Sequence, residues 1–149
     1  MMGLYLDEVE VGLAIELGSY AFTRENIIAF ARKYDPQDFH LSEEAGKSSV
    51  LGGLAASGWH VCAILVRMLT DAYIGKSAAM GSNGMDEVKW LKPVYAGETL
   101  TGRMTLLSKR VSSKRPEMGI LKCRWELFNT DGEQKTDMVG VSFMQVRQP

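Results

Sequence analysis

Cysteine is scarce in this chain of 149 residues, with two, Cys62 and Cys123, and neither in a CxxC pair. That excludes a disulfide framework, and both read as reduced core thiols, since free cysteine is among the most buried residue types. Histidine is equally rare, His40 and His60 only, so no zinc-type ligand set can be assembled and no metal is expected. Neither sign of charge prevails: 17 basic residues face 18 acidic ones, for a formal net charge of −1. Broad binding to nucleic acid needs a basic excess and is therefore not expected, although a local basic pocket stays open. No apolar run approaches the roughly 20 residues that cross a bilayer. The first residues, MMGLYLDEVEVG, are acidic and lack the basic region and small-residue site of a secretion signal. The expectation is a cytoplasmic protein without a membrane partner. Repeats, low-complexity tracts and linkers are missing too, which points to a single domain over residues 1–149.

What is present falls into two periodicities. The first half reads as helical. Thr23 is placed to cap RENIIAFARKY, with Glu25 near the positive end of the helix dipole. Ile27, Phe30, Ala31 and Tyr34 form one apolar stripe, and Asp35-Pro36 stops the helix, because a residue before proline is pushed out of the α region. SEEAGKS supplies another turn or two. From Trp59 to about Tyr73 apolar residues occupy almost every side, the signature of a buried helix. Ser57 is a natural N-cap for it, and Gly58 lies at its start.

After residue 80 the period becomes two. Leu100, Met104 and Leu106 alternate with polar residues in ETLTGRMTLLS. Leu121, Cys123, Trp125 and Leu127 do so in ILKCRWELFN, and DMVGVSFMQV alternates likewise. Asp131-Gly132 marks a hairpin turn. DEVKWLKPV reads as a further strand ended by Pro93, and LAIELGSYAF, with Leu13, Ile15 and Leu17 inward, as a fifth. GKSAAMGSNG reads as a loop. Met68, Met80, Met85 and Met104 read as core filler. The order is α+β. Five antiparallel strands can bury one thoroughly apolar helix only by curling around it, which is the hot-dog fold: a curled sheet wrapped around a central buried helix. The open sheet edge needs cover, so a homodimer or higher homo-oligomer is expected.

The chemistry-bearing stretch is DPQDFH. Asp35 and His40 lie in a loop stiffened by Pro36, and a carboxylate with an imidazole around one water can polarise it and shuttle a proton. Asp-Pro is also an ordinary turn opener. The helix start adds a second element. Gly58 offers a backbone N–H without an intrahelical partner where the dipole favours negative charge, a place for a thioester oxygen becoming an enolate. A plain capped helix start, with Gly58 serving packing, explains the same residues. Trp59 and His60 follow this glycine and can line a pocket, although a histidine in a first turn more often caps or packs and Trp59 reads rather as a core aromatic.

ARKYDPQDFHLSEEAGKSSVLGGLAASGWH resembles the MaoC-like dehydratases, the family of the (R)-specific enoyl-CoA hydratases. Their signature is an Asp, an Asn-Pro, a His five residues after the Asp, and later a His-Gly pair opening the central helix. Asp35 and His40 match the interval, and Ser57-Gly58 matches the later pair. WLKPVYAGETLTG resembles the family's Pro-Val-x-x-Gly-Asp segment, with Glu98 in place of the Asp. The departures are Gln37-Asp38 where the Asn-Pro stands, Ser57 for the histidine, and Val66 near a helix serine found in some hydratases. The resemblance implies hydration of a trans-2-enoyl-CoA to a 3-hydroxyacyl-CoA, or the reverse. Asp35, His40 and Gly58 would be catalytic, with Ser57, Trp59 and His60 at the substrate. No cofactor is implied, coenzyme A being part of the substrate. Lys89, Lys92, Lys109, Arg110, Lys114 and Arg115 include candidates for its phosphates.

Two other readings remain open. An acyl-CoA thioesterase on this fold commonly carries an acidic residue or Gln near the central helix, whereas between Trp59 and Met68 this helix has Arg67 and no carboxylate. A non-catalytic acyl-CoA-binding hot-dog protein is the other, favoured by the missing Asn-Pro.

Overall fold

The computed structural model describes residues 3–148. Five antiparallel strands form one sheet: β1 (Ala14–Ala21), β2 (Ala79–Trp90), β3 (Thr99–Val111), β4 (Met118–Phe128) and β5 (Gln134–Gln145). Their order across the sheet is β1-β3-β4-β5-β2. Between β1 and β2 the chain forms α1 (Arg24–Tyr34), α2 (Glu43–Ser48) and α3 (Gly58–Ala72). The sheet curls around α3, as in the hot-dog fold.

Alternation puts one face of each central strand against α3. Leu100, Met104 and Leu106 of β3, Leu121, Cys123, Trp125 and Leu127 of β4, and Met138 and Met144 of β5 are all buried. They meet Val61, Leu65, Met68 and Leu69 of α3 in one core. Helix α1 begins where Thr23 Oγ1 accepts from Asn26 N–H at 3.1 Å. It packs beside α3 through Ile27, Ile28 and Ala31. Helix α2 is capped in the same way, Ser42 Oγ accepting from Ala45 N–H at 3.1 Å. Within the described residues no helix is long and apolar enough to cross a membrane.

Four expectations need correction. Tyr34 is not part of the buried stripe but stands exposed, and Ile28 takes its place. The stripe rotates because α1 lies against both α3 and the loop that follows it. GKSAAMGSNG is not a loop throughout, since β2 starts at Ala79. Three register shifts against β5, two of them at Gly81 and Gly84 in the left-handed region and the third between Met85 and Glu87, hide its period. Met80 and Met85 are exposed rather than core, because β2 is an edge strand. Helix α3 is not covered all round: Trp59 is 61% exposed and Val66 56%. One stripe of the helix therefore faces away from the sheet beside the free edge of β2.

Candidate active site

The site is assembled by loops that two short pairings hold together. Ala56 N–H donates to Val94 carbonyl at 2.8 Å and Ala96 N–H to Leu54 carbonyl at 3.0 Å, so residues 54–56 run alongside 94–96. Glu98 secures the second segment. Its carboxylate accepts from Tyr95 N–H at 2.8 Å and Asn129 Nδ2 at 3.1 Å, and pairs with Lys135 Nζ at 3.1 Å. Lys135, only 3% exposed, also reaches Glu133 at 2.9 Å and the Pro93 carbonyl at 3.0 Å. A buried ammonium is tolerable only with such partners.

Against this frame Asp35 and His40 come together. Asp35 ends α1, its N–H bonded to Ala31 carbonyl at 2.9 Å, and His40 closes a single turn at Asp38–His40. His40 is buried, and its Nδ1 lies 2.6 Å from Ala55 carbonyl. A carbonyl only accepts, so Nδ1 carries the proton and a neutral ring presents its Nε2 lone pair. That nitrogen lies 3.5 Å from Asp35 Oδ2. The distance is too long for a good direct hydrogen bond and suits two acceptors sharing a third molecule.

The departures from the family pattern converge on the carboxylate. Ser57 sits at the N-cap position of α3 but makes no cap bond; its hydroxyl donates to Asp35 Oδ2 at 2.7 Å. Gln37 Nε2 donates to Oδ1, also at 2.7 Å. The Ser57 hydrogen bond holds the Asp35 carboxyl below the usual carboxylate range. Burial works against it, and the Gln37 amide and the nearby imidazole work with it.

Gly58 opens α3 beside this pair, and its N–H makes no hydrogen bond among the described residues. The missing side chain has a second reason that the sequence does not show. A Cβ here would lie 2.5 Å from Trp90 Cε2, because the indole rests on the glycine. Trp90 Nε1–H donates to the Gly58 carbonyl at 3.1 Å, and Trp59 meets the Trp90 ring edge-on at 5.2 Å. Asp35, Gln37, His40, Gly58, Trp59 and Trp90 line one cleft of about 440 Å³. Lys92 and Thr136 stand at it as well, Lys92 being the member of the basic set that lines it.

His60 lies elsewhere. It is buried, stacked on Phe30 at 4.7 Å and edge-on to Phe22 at 5.2 Å, with Nδ1 unpartnered among the described residues. Burial pushes its imidazole down to about 4. Trp59 lines the cleft as an exposed ring instead of a core one. Sequence reading missed Gln37 and Trp90. An amide two residues beyond Asp35 was the available signal for the first. The second shows no signal, since its contact spans 32 residues of chain. Among the described residues no cluster of three or more His, Cys, Asp or Glu is arranged to hold a metal ion.

A family model described as MaoC like domain matches residues 10–122. The uncharacterized protein YdeM of Bacillus subtilis (strain 168) is 30% identical over 125 residues, covering 83% of this chain and 86% of that protein. The crystal structure of the MaoC-like dehydratase from Rhodospirillum rubrum superposes with a TM-score of 0.91 at 34% identity, over 99% of this chain and 100% of that one. The R-hydratase PhaJ1 from Pseudomonas aeruginosa, at 17% identity, shares the fold, with a TM-score of 0.75 over 99% of this chain and 92% of that one. Three-quarters of the chain falls within the family model, and the Asp35–His40 pair and the Gly58 helix start lie inside that span: the chain belongs to the MaoC-like domain family.

Proposed function

We propose that this protein adds water to a trans-2-enoyl-CoA to give a 3-hydroxyacyl-CoA, or catalyses the reverse dehydration. The observation that carries the reading is the pair of acceptors, Asp35 Oδ2 and His40 Nε2, 3.5 Å apart at the cleft. A water donating one O–H to each keeps a lone pair free for the β-carbon of the substrate. As oxygen bonds to that carbon, Nε2 takes the proton, and electrons move through Cα to the thioester oxygen. Asp35, kept ionised by Ser57 and Gln37, stabilises the imidazolium. The Gly58 N–H faces the enolate oxygen, where one such donor is worth about 10²–10³ in rate. The imidazolium then returns a proton to Cα from the same side, so hydrogen and hydroxyl add syn and nothing is left over. The names of the Rhodospirillum and Pseudomonas proteins support the reaction class. Lys92 lines the cleft with its ammonium paired to Glu133, and a phosphate of the coenzyme would compete for it there.

The assembly we propose is a homodimer across β2. Eleven of its twelve residues are exposed, and Met80, Met85 and Trp90 lie there beside Trp59 and Val66 of α3. A second copy pairing its own β2 would satisfy that edge. Light scattering should report twice the chain's mass, and a monomer at micromolar concentration would dismiss this assembly.

The test of function is a panel of enoyl-CoA substrates from C4 upward, followed by loss of the conjugated thioester absorbance. Asp35→Ala and His40→Ala should each lower kcat/KM by about 10²–10⁴. If no chain length is consumed, or if both variants keep the parent rate, the reading is wrong. Release of free thiol would point to the thioesterase instead.

A further inference from the structure

A second hollow lies further along α3 from the cleft. It has a volume of about 330 Å³ and lies between α3 and strands β4, β5 and β2. Its walls are apolar, with Cys62, Leu65, Val66, Trp125 and Met138 among them. The two hollows share a roof and a floor. On α3, Gly58 lines the cleft, and Cys62, one turn further, lines the second hollow. On β5, Thr136 lines the cleft, and Met138, two residues on and so on the same face, lines the second hollow.

Trp90 stands at the junction. It is the cross-strand partner of Thr136, so both side chains share one face of the β2–β5 pair. Its indole rests on Gly58, with the N–H donated to the Gly58 carbonyl at 3.1 Å. One turn along the helix the Cys62 thiol faces Met138 Sδ at 4.0 Å, so the next contact between α3 and β5 already belongs to the second hollow. The ring therefore spans from floor to roof where cleft gives way to hollow. It lines the cleft and takes no part in lining the hollow beyond.

We propose that Trp90 is a specificity-determining partition: it closes the inner end of the cleft, restricts the acyl group to short chains, and seals off a ready-made chamber for longer ones. The proposal rests on the enoyl-CoA reading above. Removing the indole joins the two hollows into one slot along α3. Each methylene that enters the apolar part should then raise kcat/KM by about fourfold, the worth of burying one CH₂.

The experiment compares C4 and C10 enoyl-CoA substrates on the wild type, Trp90→Ala, Trp90→Phe, and Trp90→Ala combined with Leu65→Phe. Leu65 lines the hollow and lies outside both the cleft and the dimer face proposed above, so a larger ring there narrows the hollow without touching either. The C10-to-C4 ratio of kcat/KM should rise at least tenfold in Trp90→Ala. It should stay near the wild-type value in Trp90→Phe and fall back in the double variant. A wild type that already processes C10 as well as C4, or a ratio unmoved in Trp90→Ala, overturns the partition while leaving the hydratase reading standing. If the wild type consumes no enoyl-CoA, that reading falls. The partition is then tested by calorimetry with butyryl- and decanoyl-CoA, where Trp90→Ala must shift the affinity ratio by the same factor or the proposal fails. Should Trp90→Ala not fold, Trp90→Leu carries both arms.

Discussion

Replacing Ser57 with alanine removes the main support of the Asp35 carboxylate, a 2.7 Å hydrogen bond from a fully buried hydroxyl. A hydrogen bond to a charged group is worth about 1.5–3 kcal/mol, and 1.36 kcal/mol corresponds to about one pH unit. Asp35 keeps its 2.7 Å bond from Gln37 and stays within reach of water, so the lower half of that range applies. The carboxyl should rise by about one pH unit. Followed directly by carboxyl carbon NMR against pH, Asp35 should titrate higher in Ser57→Ala than in the wild type by that amount. At neutral pH kcat/KM on a short enoyl-CoA should fall by less than the 10²–10⁴ expected when Asp35 itself is removed. Stability follows the same sign. A carboxyl held below its unfolded value, near 3.9, stabilises the fold above that pH, and the contribution disappears as pH falls through the folded value. The wild type should therefore exceed Ser57→Ala in urea resistance at neutral pH and converge with it in acid. An Asp35 carboxyl that titrates at the wild-type position in Ser57→Ala, or lower, would refute the assignment of Ser57 as the donor that sets Asp35.

Gly58→Ala should lower kcat/KM by at least tenfold and raise tryptophan fluorescence heterogeneity, because the new methyl occupies the space of the Trp90 ring. His60 gives a stability effect of its own. Its imidazole is pushed from 6.5 down to about 4 by burial, so the unfolded chain takes up a proton that the folded one refuses. Stability should be intact above pH 6.5 and fall by about 3 kcal/mol as pH drops to 4, and His60→Phe should flatten that slope in urea melts. Lys135→Met takes the ammonium away from Glu98, which keeps only Tyr95 N–H and Asn129, and leaves Glu133 with Lys92. It should cost about 2–3 kcal/mol in chemical denaturation, with a larger KM, since the same network fixes the cleft wall at Pro93.

Much of this was legible beforehand for identifiable reasons. The period-two runs through Leu100 to Leu106 and Leu121 to Leu127 lie in central strands with one buried face, where alternation is enforced. The Thr23 cap and the Asp35-Pro36 stop are local, so short stretches of sequence encode them. The glycine-punctuated start of β2 was not legible, because a bulge shifts the register and an edge strand is held on one side only. The placement of Asp35, His40 and Gly58 in one cleft followed from their order in a known pattern. Their supports did not. Ser57 reads as a helix cap and proves to be a carboxylate donor, a choice made by the position of α1 across 22 residues of chain. Trp90 reads as the end of a strand, and only packing shows what its ring touches.

The bulged course of β2 also distributes rigidity unevenly around the molecule. Strands β3 and β4 are laddered on both sides, whereas β2 is laddered on one side and interrupted three times along that side. Opening free energy follows such differences, so in a lone protomer main-chain amides from Gly81 to Glu87 should exchange with solvent ahead of those in the sheet's centre, and pairing with a second copy should slow them. The most yielding wall of the protein is thus the one that carries Trp90 and bounds the space behind it. Substrate range can drift through changes in one loosely tied strand while the strands that hold the fold together stay as they are.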